Sequence, residues 1–347
     1  YSGLLQKVAD HLSSNKDARK IVQEKYSHIM VDEFQDTNNV QMRILKSIVP
    51  IDGGHLTVVG DKMQAIYGFR GGNSKFIDKD FFAKLYPNTT FIKLDQNYRS
   101  NDGILDVAGV VEQAAGVDRT IIPNSIGKIN NKVPSDTPLA KMLAKKTIVN
   151  SPPVEIFKGH GKLSQMEYVA RQIRSLTGVL QGKVDDKTGI NAIAILCRTR
   201  QEVDQVERFL KKNGIKVKPR TKEPTIEEQI LGYNMAGESP DPEKEEPGIV
   251  VTTLHQSKGL EYPAVFIYNA SSSSFPTVRS MRDSSESPEA REEAIQEERR
   301  LFYTGITRAE CRLFLTTEKK HISPFVSEIE QGLQYRRGII NVNHEKK

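Results

Sequence analysis

Apolar and polar positions switch between two periods along the chain, and the switching predicts alternating strands and helices. His28, Ile29, Met30 and Val31 form a short apolar-rich run that stops at Asp32 and Glu33, and Val40, Ile44, Leu45 and Ile48 then recur at helical spacing. Leu56, Thr57, Val58 and Val59 repeat the strand pattern and stop at Gly60 and Asp61. A third strand is predicted over 90–94, and a helix from about 102 carries Ile104, Leu105, Ala108 and Val111 on one face. Further strands are predicted over 154–157, 192–196, 249–252, 264–268 and 312–316. Helices fall between them, one with Ser164 and Glu167 spaced as a capping box, one closed by Gly214, and one over 289–303. Such alternation builds α/β layers around a parallel sheet.

Three polar stretches interrupt the pattern. Residues 117–150 are rich in Asn, Lys and Pro and predict a loop-rich passage. Residues 219–248, rich in Pro, Glu and Lys, predict a solvated linker, and 271–290, with four consecutive serines, a mobile surface loop.

Composition narrows the class only modestly. A chain of 347 residues is long enough for roughly two domains. Its 50 basic and 44 acidic residues give a net charge of +6, which mildly favours a polyanionic partner. Two distant cysteines, Cys197 and Cys311, give neither a disulfide framework nor a zinc site, so an intracellular compartment (cytoplasm or nucleus) is expected. No apolar run is long enough to span a bilayer, and no membrane partner is expected. The chain opens on Tyr1 rather than Met, inside a helical pattern formed by Leu4, Leu5, Val8 and Leu12, so a fragment lacking its N-terminal part is expected.

Candidate chemistry sits where the strands end, the usual place for ligands in open α/β sheets. Asp32 and Glu33 follow the first strand. Adjacent carboxylates there suit a magnesium ion and an attacking water; equally, acidic residues favour a helix N-terminus. Gln64, just past Gly60 and Asp61, would face the same ligand. Tyr67, Phe69 and Arg70 mix aromatics with a cation among glycines, which suits base stacking and phosphate contact or a turn with buried rings. Tyr98 and Arg99 follow the third strand, where Arg suits multi-oxygen phosphate contact. Residues 252–261, including Thr253, His255 and Glu261, offer small polar donors, with Glu261 able to accept from a ribose. Arg308, beyond Gly305, is placed to act as an arginine finger.

Taken together and in order, the stretches 31–37, 59–72, 96–99, 251–261 and 298–309 resemble motifs II to VI of the superfamily 1 helicases of the UvrD/PcrA/Rep type. The resemblance implies an α/β fold of two RecA-like parallel-sheet domains, the first incomplete, with ATP in the cleft between them. It implies a first domain over 1–95 and a second over 96–347, with 219–248 and 271–290 as loop segments and no large accessory insertion. It also implies an ATP-dependent 3′-to-5′ DNA helicase, with ATP and Mg²⁺ as cofactors and single-stranded DNA or single/double-strand junctions as partner. Asp32 would hold Mg²⁺, Glu33 would be the catalytic base, and Gln64 would couple the terminal phosphate to DNA. Tyr98 would pack on the nucleotide base, Arg99 and Arg308 would reach the γ-phosphate, and Glu261 would meet the ribose. Tyr67, Phe69, Arg70, Thr253 and His255 would lie along the DNA. One expected part is missing from these 347 residues: no Gly-x-x-x-x-Gly-Lys-Ser/Thr phosphate loop occurs. A non-hydrolysing protein that binds DNA or a partner is the alternative, and the isolated chain is expected to be inactive as an ATPase.

Overall fold

The computed structural model describes residues 2–49, 55–117, 152–177, 192–220, 248–283, 287–334 and 338–345. The expected loop passage 117–150 and linker 219–248 fall almost wholly outside them. The chain divides into two compact units, Tyr1–Leu94 and Asp95–Lys347.

In the first unit, β1 (His28–Val31) and β2 (His55–Val58) pair in parallel, with Val31 beside Val58. Helices α1 (Ser2–Ser14), α2 (Lys16–Lys25), α3 (Asn39–Ile48) and α4 (Lys79–Leu85) accompany them. The start of α3 is fixed by a capping box, in which Asn38 accepts from the Gln41 amide and the Gln41 side chain accepts from the Asn38 amide. Met42 and Leu45 of α3 meet Phe34, Phe76 and Phe82 in the unit's core. Phe34 and Phe82 touch edge to face at 5.7 Å.

In the second unit, six parallel strands run in the order β5-β4-β6-β7-β3-β8. They are β3 (Val154–Gly159), β4 (Ile193–Cys197), β5 (Val250–Thr253), β6 (Tyr262–Ile267), β7 (Ala309–Glu318) and β8 (Ile340–His344). Every residue of β4 and β6 is buried, as expected when helices cover both faces of a parallel sheet. Helices α6 (Lys162–Thr177) and α7 (Arg200–Lys212) bring Tyr168, Ile173, Val206 and Leu210 onto Phe157, Ile195, Phe266 and Phe314. The remaining helices are α5 (Asp102–Ala114), α8 (Val278–Asp283), α9 (Pro288–Ile306) and α10 (Pro324–Leu333). Among these, α5 packs on β7, α9 and α10, and α9 packs on β6 and β7. Gly305 lets α9 come close: a Cβ there would stand 2.7 Å from Leu254 and 3.2 Å from Ile267.

Four local expectations are corrected. Residues 90–94 form no ladder, and Ile92 and Leu94 are about four-fifths exposed, at 80% and 81%. Among the described residues no neighbouring strand pairs with them, so β-propensity alone does not make a strand. Helix α6 begins at Lys162, so Ser164 is not its cap; its hydroxyl donates to the Gly161 carbonyl instead. Gly305 is helical rather than a turn before Arg308. The described part of the serine-rich stretch at 271–290 is largely helical and partly buried rather than a loop. It contains α8 and the start of α9, and Ser271, Ser274 and Phe275 are buried. Hydroxyls make this possible: Ser271 donates to Asn269, and Asn269 donates to Ser274 and Glu202.

Candidate functional site

The parallel register of β1 and β2 sets their C-terminal ends side by side, so Asp32-Glu33 and Gly60-Asp61 become neighbours. The Val59 amide donates to the Val31 carbonyl, and the Phe34 amide donates back to Val59, each at 2.9 Å. Glu33 occupies the left-handed region, with φ 50° and ψ 39°. For a non-glycine residue this costs energy, and such strain concentrates at functional sites. The sequence did not single out Gln35, yet it ties the cluster together. Its side chain is buried; its amide nitrogen donates to the Glu33 carboxylate, and its oxygen accepts from the Asp61 amide at 3.0 Å. Asp61 accepts from the Gln64 side chain at 2.8 Å and caps the short turn through the Met63 amide. Asp32 accepts from the Glu33 amide at 2.8 Å. Asp32, Glu33, Asp61 and Gln64 thus share one connected corner.

Gly60 is required by this corner. A Cβ there would lie 2.3 Å from the Gln35 side-chain oxygen and 2.5 Å from Ile77. Gly60→Ala is expected to lower the stability of the first unit by about 1–3 kcal/mol, the usual cost of overpacking. Urea unfolding followed by circular dichroism checks this; an unchanged midpoint would contradict the packing described.

Beyond the corner, Tyr67 and Phe69 touch edge to face at 6.0 Å. The Arg70 guanidinium lies 4.9 Å from the Tyr67 ring and 5.5 Å from the Phe69 ring. Phe69 is 65% exposed, so the turn presents this ring rather than burying it.

The second unit gathers another set at the starts of β6 and β7. The Arg99 Nε donates to Glu261 at 2.5 Å. Asn97 fixes this segment by accepting from the Arg99 and Ser100 amides, while Ser100 and Asn101 donate to the Ala309 and Cys311 carbonyls. Arg308 is buried. Its guanidinium donates to the Thr304 and Leu260 carbonyls and to the Thr307 hydroxyl. Tyr98 is 82% exposed, its hydroxyl donating to Gln96 at 2.5 Å.

Glu310, which the sequence did not flag, is buried at the start of β7. Burial raises its carboxyl to about 7, with nearby Glu261 adding and Arg99 opposing. No motif spacing signals a lone acid at a strand start. Thr253 and His255 belong to the other end, where β5 leaves the sheet. Thr253 is buried and donates to the Gln256 side chain, and His255 is half-buried. Arg99, Glu261 and Arg308 therefore converge, while Thr253 and His255 lie at and just beyond the end of β5.

No group of three or more His, Cys, Asp or Glu that could hold a metal occurs among the described residues. The corner nonetheless fits magnesium, which uses one or two carboxylates and takes its other ligands from water and phosphate. Among the described residues no helix is long and apolar enough to cross a membrane.

Two family models match the chain. The model of the UvrD/REP helicase N-terminal domain matches residues 1–82, and that of the UvrD-like helicase C-terminal domain matches 92–223 and 221–320. The chain belongs to the UvrD/Rep-type helicase family. ATP-dependent DNA helicase UvrD2 of Mycobacterium tuberculosis is 26% identical over 367 residues, covering 91% of this chain and 51% of that protein. ATP-dependent DNA helicase PcrA of Leuconostoc citreum is 24% identical over 470 residues, covering 96% and 61%. DNA helicase II of Escherichia coli is 30% identical over 152 residues, covering 44% and 18%. The chain spans about half the length of UvrD2 and three-fifths of PcrA.

Proposed function

We propose that this chain supplies ATP-turnover and DNA-contact residues of a DNA helicase that moves 3′ to 5′ on single-stranded DNA. The observation that carries this reading is the corner at the ends of β1 and β2. There Glu33 is held in a strained backbone conformation, with its carboxylate tied through Gln35 to the second strand end.

In this reading Asp32 holds magnesium, which would neutralise charge on the nucleotide phosphates. Glu33 orients and deprotonates the attacking water. Gln64, pinned to Asp61, senses the terminal phosphate from a position linked by a short turn to Tyr67, Phe69 and Arg70. Arg99 and Arg308 stabilise charge on the transferred phosphoryl group, Glu261 meets the ribose, and Tyr98 stacks on the base. For Arg308 this requires leaving the carbonyls of Thr304 and Leu260. Tyr67, Phe69, Arg70, Thr253 and His255 contact the DNA strand or its junction with duplex.

Strand displacement by the product of the complete reading frame tests the polarity. Duplexes with a 3′ tail should be opened with ATP, and those with only a 5′ tail should not; the reverse preference would refute the polarity. Phe69→Ala should weaken binding of oligo(dT) by about 1–3 kcal/mol, roughly 5- to 150-fold in affinity, through loss of a stacked base. Fluorescence anisotropy checks this, and an unchanged affinity would remove Phe69 from the DNA surface.

A further inference from the structure

Glu310 has no use in the scheme above, although its setting is unusual. Its residue is 4% exposed, and its Oε2 has no hydrogen-bond partner. Beside it stands the Arg99–Glu261 pair, the closest ion pair of the cluster at 2.5 Å. Arg308 and Cys311 lie on its own strand segment, and α5, which packs on β7, carries Asp102 and Asp106. On the neighbouring strands, Glu155 is already paired with Arg312.

The consequence follows from charge. Resting on the proposed nucleotide roles of Arg99 and Glu261, the Arg99–Glu261 pair must open when nucleotide engages. Arg99 then moves away from Glu310, and its support for ionised Glu310 is withdrawn. A buried carboxylate left beside Glu261 with an unsatisfied oxygen is costly, and taking a proton removes that cost. We propose that Glu310, buried beside the Arg99–Glu261 pair, is protonated as nucleotide draws Arg99 away and ionised when Arg99 returns, so that nucleotide engagement takes up a proton from solvent.

The sign is set by linkage. A carboxyl with a raised native pKa stabilises the fold fully below its unfolded value, and that contribution is lost as pH rises through about 7. Nucleotide binding should weaken as pH rises above about 7 towards the higher value Glu310 takes in the complex, by up to tenfold in Kd for each unit by which binding raises it.

The test uses the product of the complete reading frame and a non-hydrolysable ATP analogue with magnesium. Calorimetric titration at pH 7.5 in two buffers of different ionisation enthalpy gives the protons taken up. The wild type should take up a fraction of a proton more than Glu310→Gln, since protonation of the analogue itself is common to both. Equal uptake by the two proteins overturns the inference while leaving the proposed function standing. Nucleotide binding by neither overturns both. A second readout needs no nucleotide: the urea midpoint of the wild type should fall more steeply between pH 5 and pH 8 than that of Glu310→Gln, and parallel curves overturn the inference. Should Glu310→Gln fail to fold, Glu261→Gln, which removes the neighbouring negative charge, should also reduce the uptake; undiminished uptake would count against the mechanism.

Discussion

Glu33→Gln, made in the product of the complete reading frame, is expected to lower single-stranded-DNA-stimulated ATP turnover by about 10²–10⁴-fold, the range for loss of a positioned general base. The amide keeps the size of the side chain and can still pair with Gln35, so the corner should remain folded. Nucleotide affinity should change little, because the role proposed for Glu33 is on the water rather than on the phosphates. Steady-state kinetics separates the two: the loss should appear in kcat, with KM for ATP nearly unaltered. A variant that retained turnover would leave the strained conformation of Glu33 without the role assigned to it.

The largest stability effect is expected away from the nucleotide residues, at Arg312. Its guanidinium donates to Glu155 with both side chains nearly buried, at 6% and 12% exposure. Glu155 also accepts from the Tyr168 hydroxyl at 3.0 Å and from Asn343 at 3.2 Å, so the pair joins β3, β7, α6 and β8. Arg312→Ala leaves a carboxylate buried without its cation and should cost about 3–5 kcal/mol. Replacing both partners by apolar residues, as in Glu155→Leu with Arg312→Met, should recover most of that loss, since the cost lies in the orphaned charge. Urea unfolding of the three proteins checks this, and a single variant as stable as the wild type would contradict it.

How much of this was legible beforehand varied with the physical origin of each feature. Strand ends carrying Asp32, Glu33, Gly60 and Asp61 were legible because short apolar runs broken by charge or glycine mark where a buried strand meets solvent. The α/β class followed for the same reason, and the parallel sheets bear it out. Residues 90–94 misled because their side chains favour strands, whereas a ladder also needs a partner with free backbone groups. The serines at 271–274 misled in the opposite direction: composition suggested solvation, but Asn269, Glu202 and Thr317 supply internal partners. Gln35 and Glu310 were invisible because neither lies at a motif's usual chemical position. Each gains importance only from neighbours far along the chain, Asp61 for Gln35 and Arg99 for Glu310. The inward hydrogen bonds of Arg308 depend on the Leu260 carbonyl, which no local pattern reveals.

In the proposed function the two clusters serve one DNA-driven ATP cycle. Its most direct test is ATP hydrolysis with and without oligo(dT), measured on the product of the complete reading frame and on the 347-residue chain alone. The account predicts turnover strongly stimulated by oligo(dT) in the former. It predicts turnover near background in the latter, which has no phosphate loop among its residues. Turnover by the complete product that ignored single-stranded DNA, or hydrolysis by the 347-residue chain that disappeared on Glu33→Gln, would contradict it.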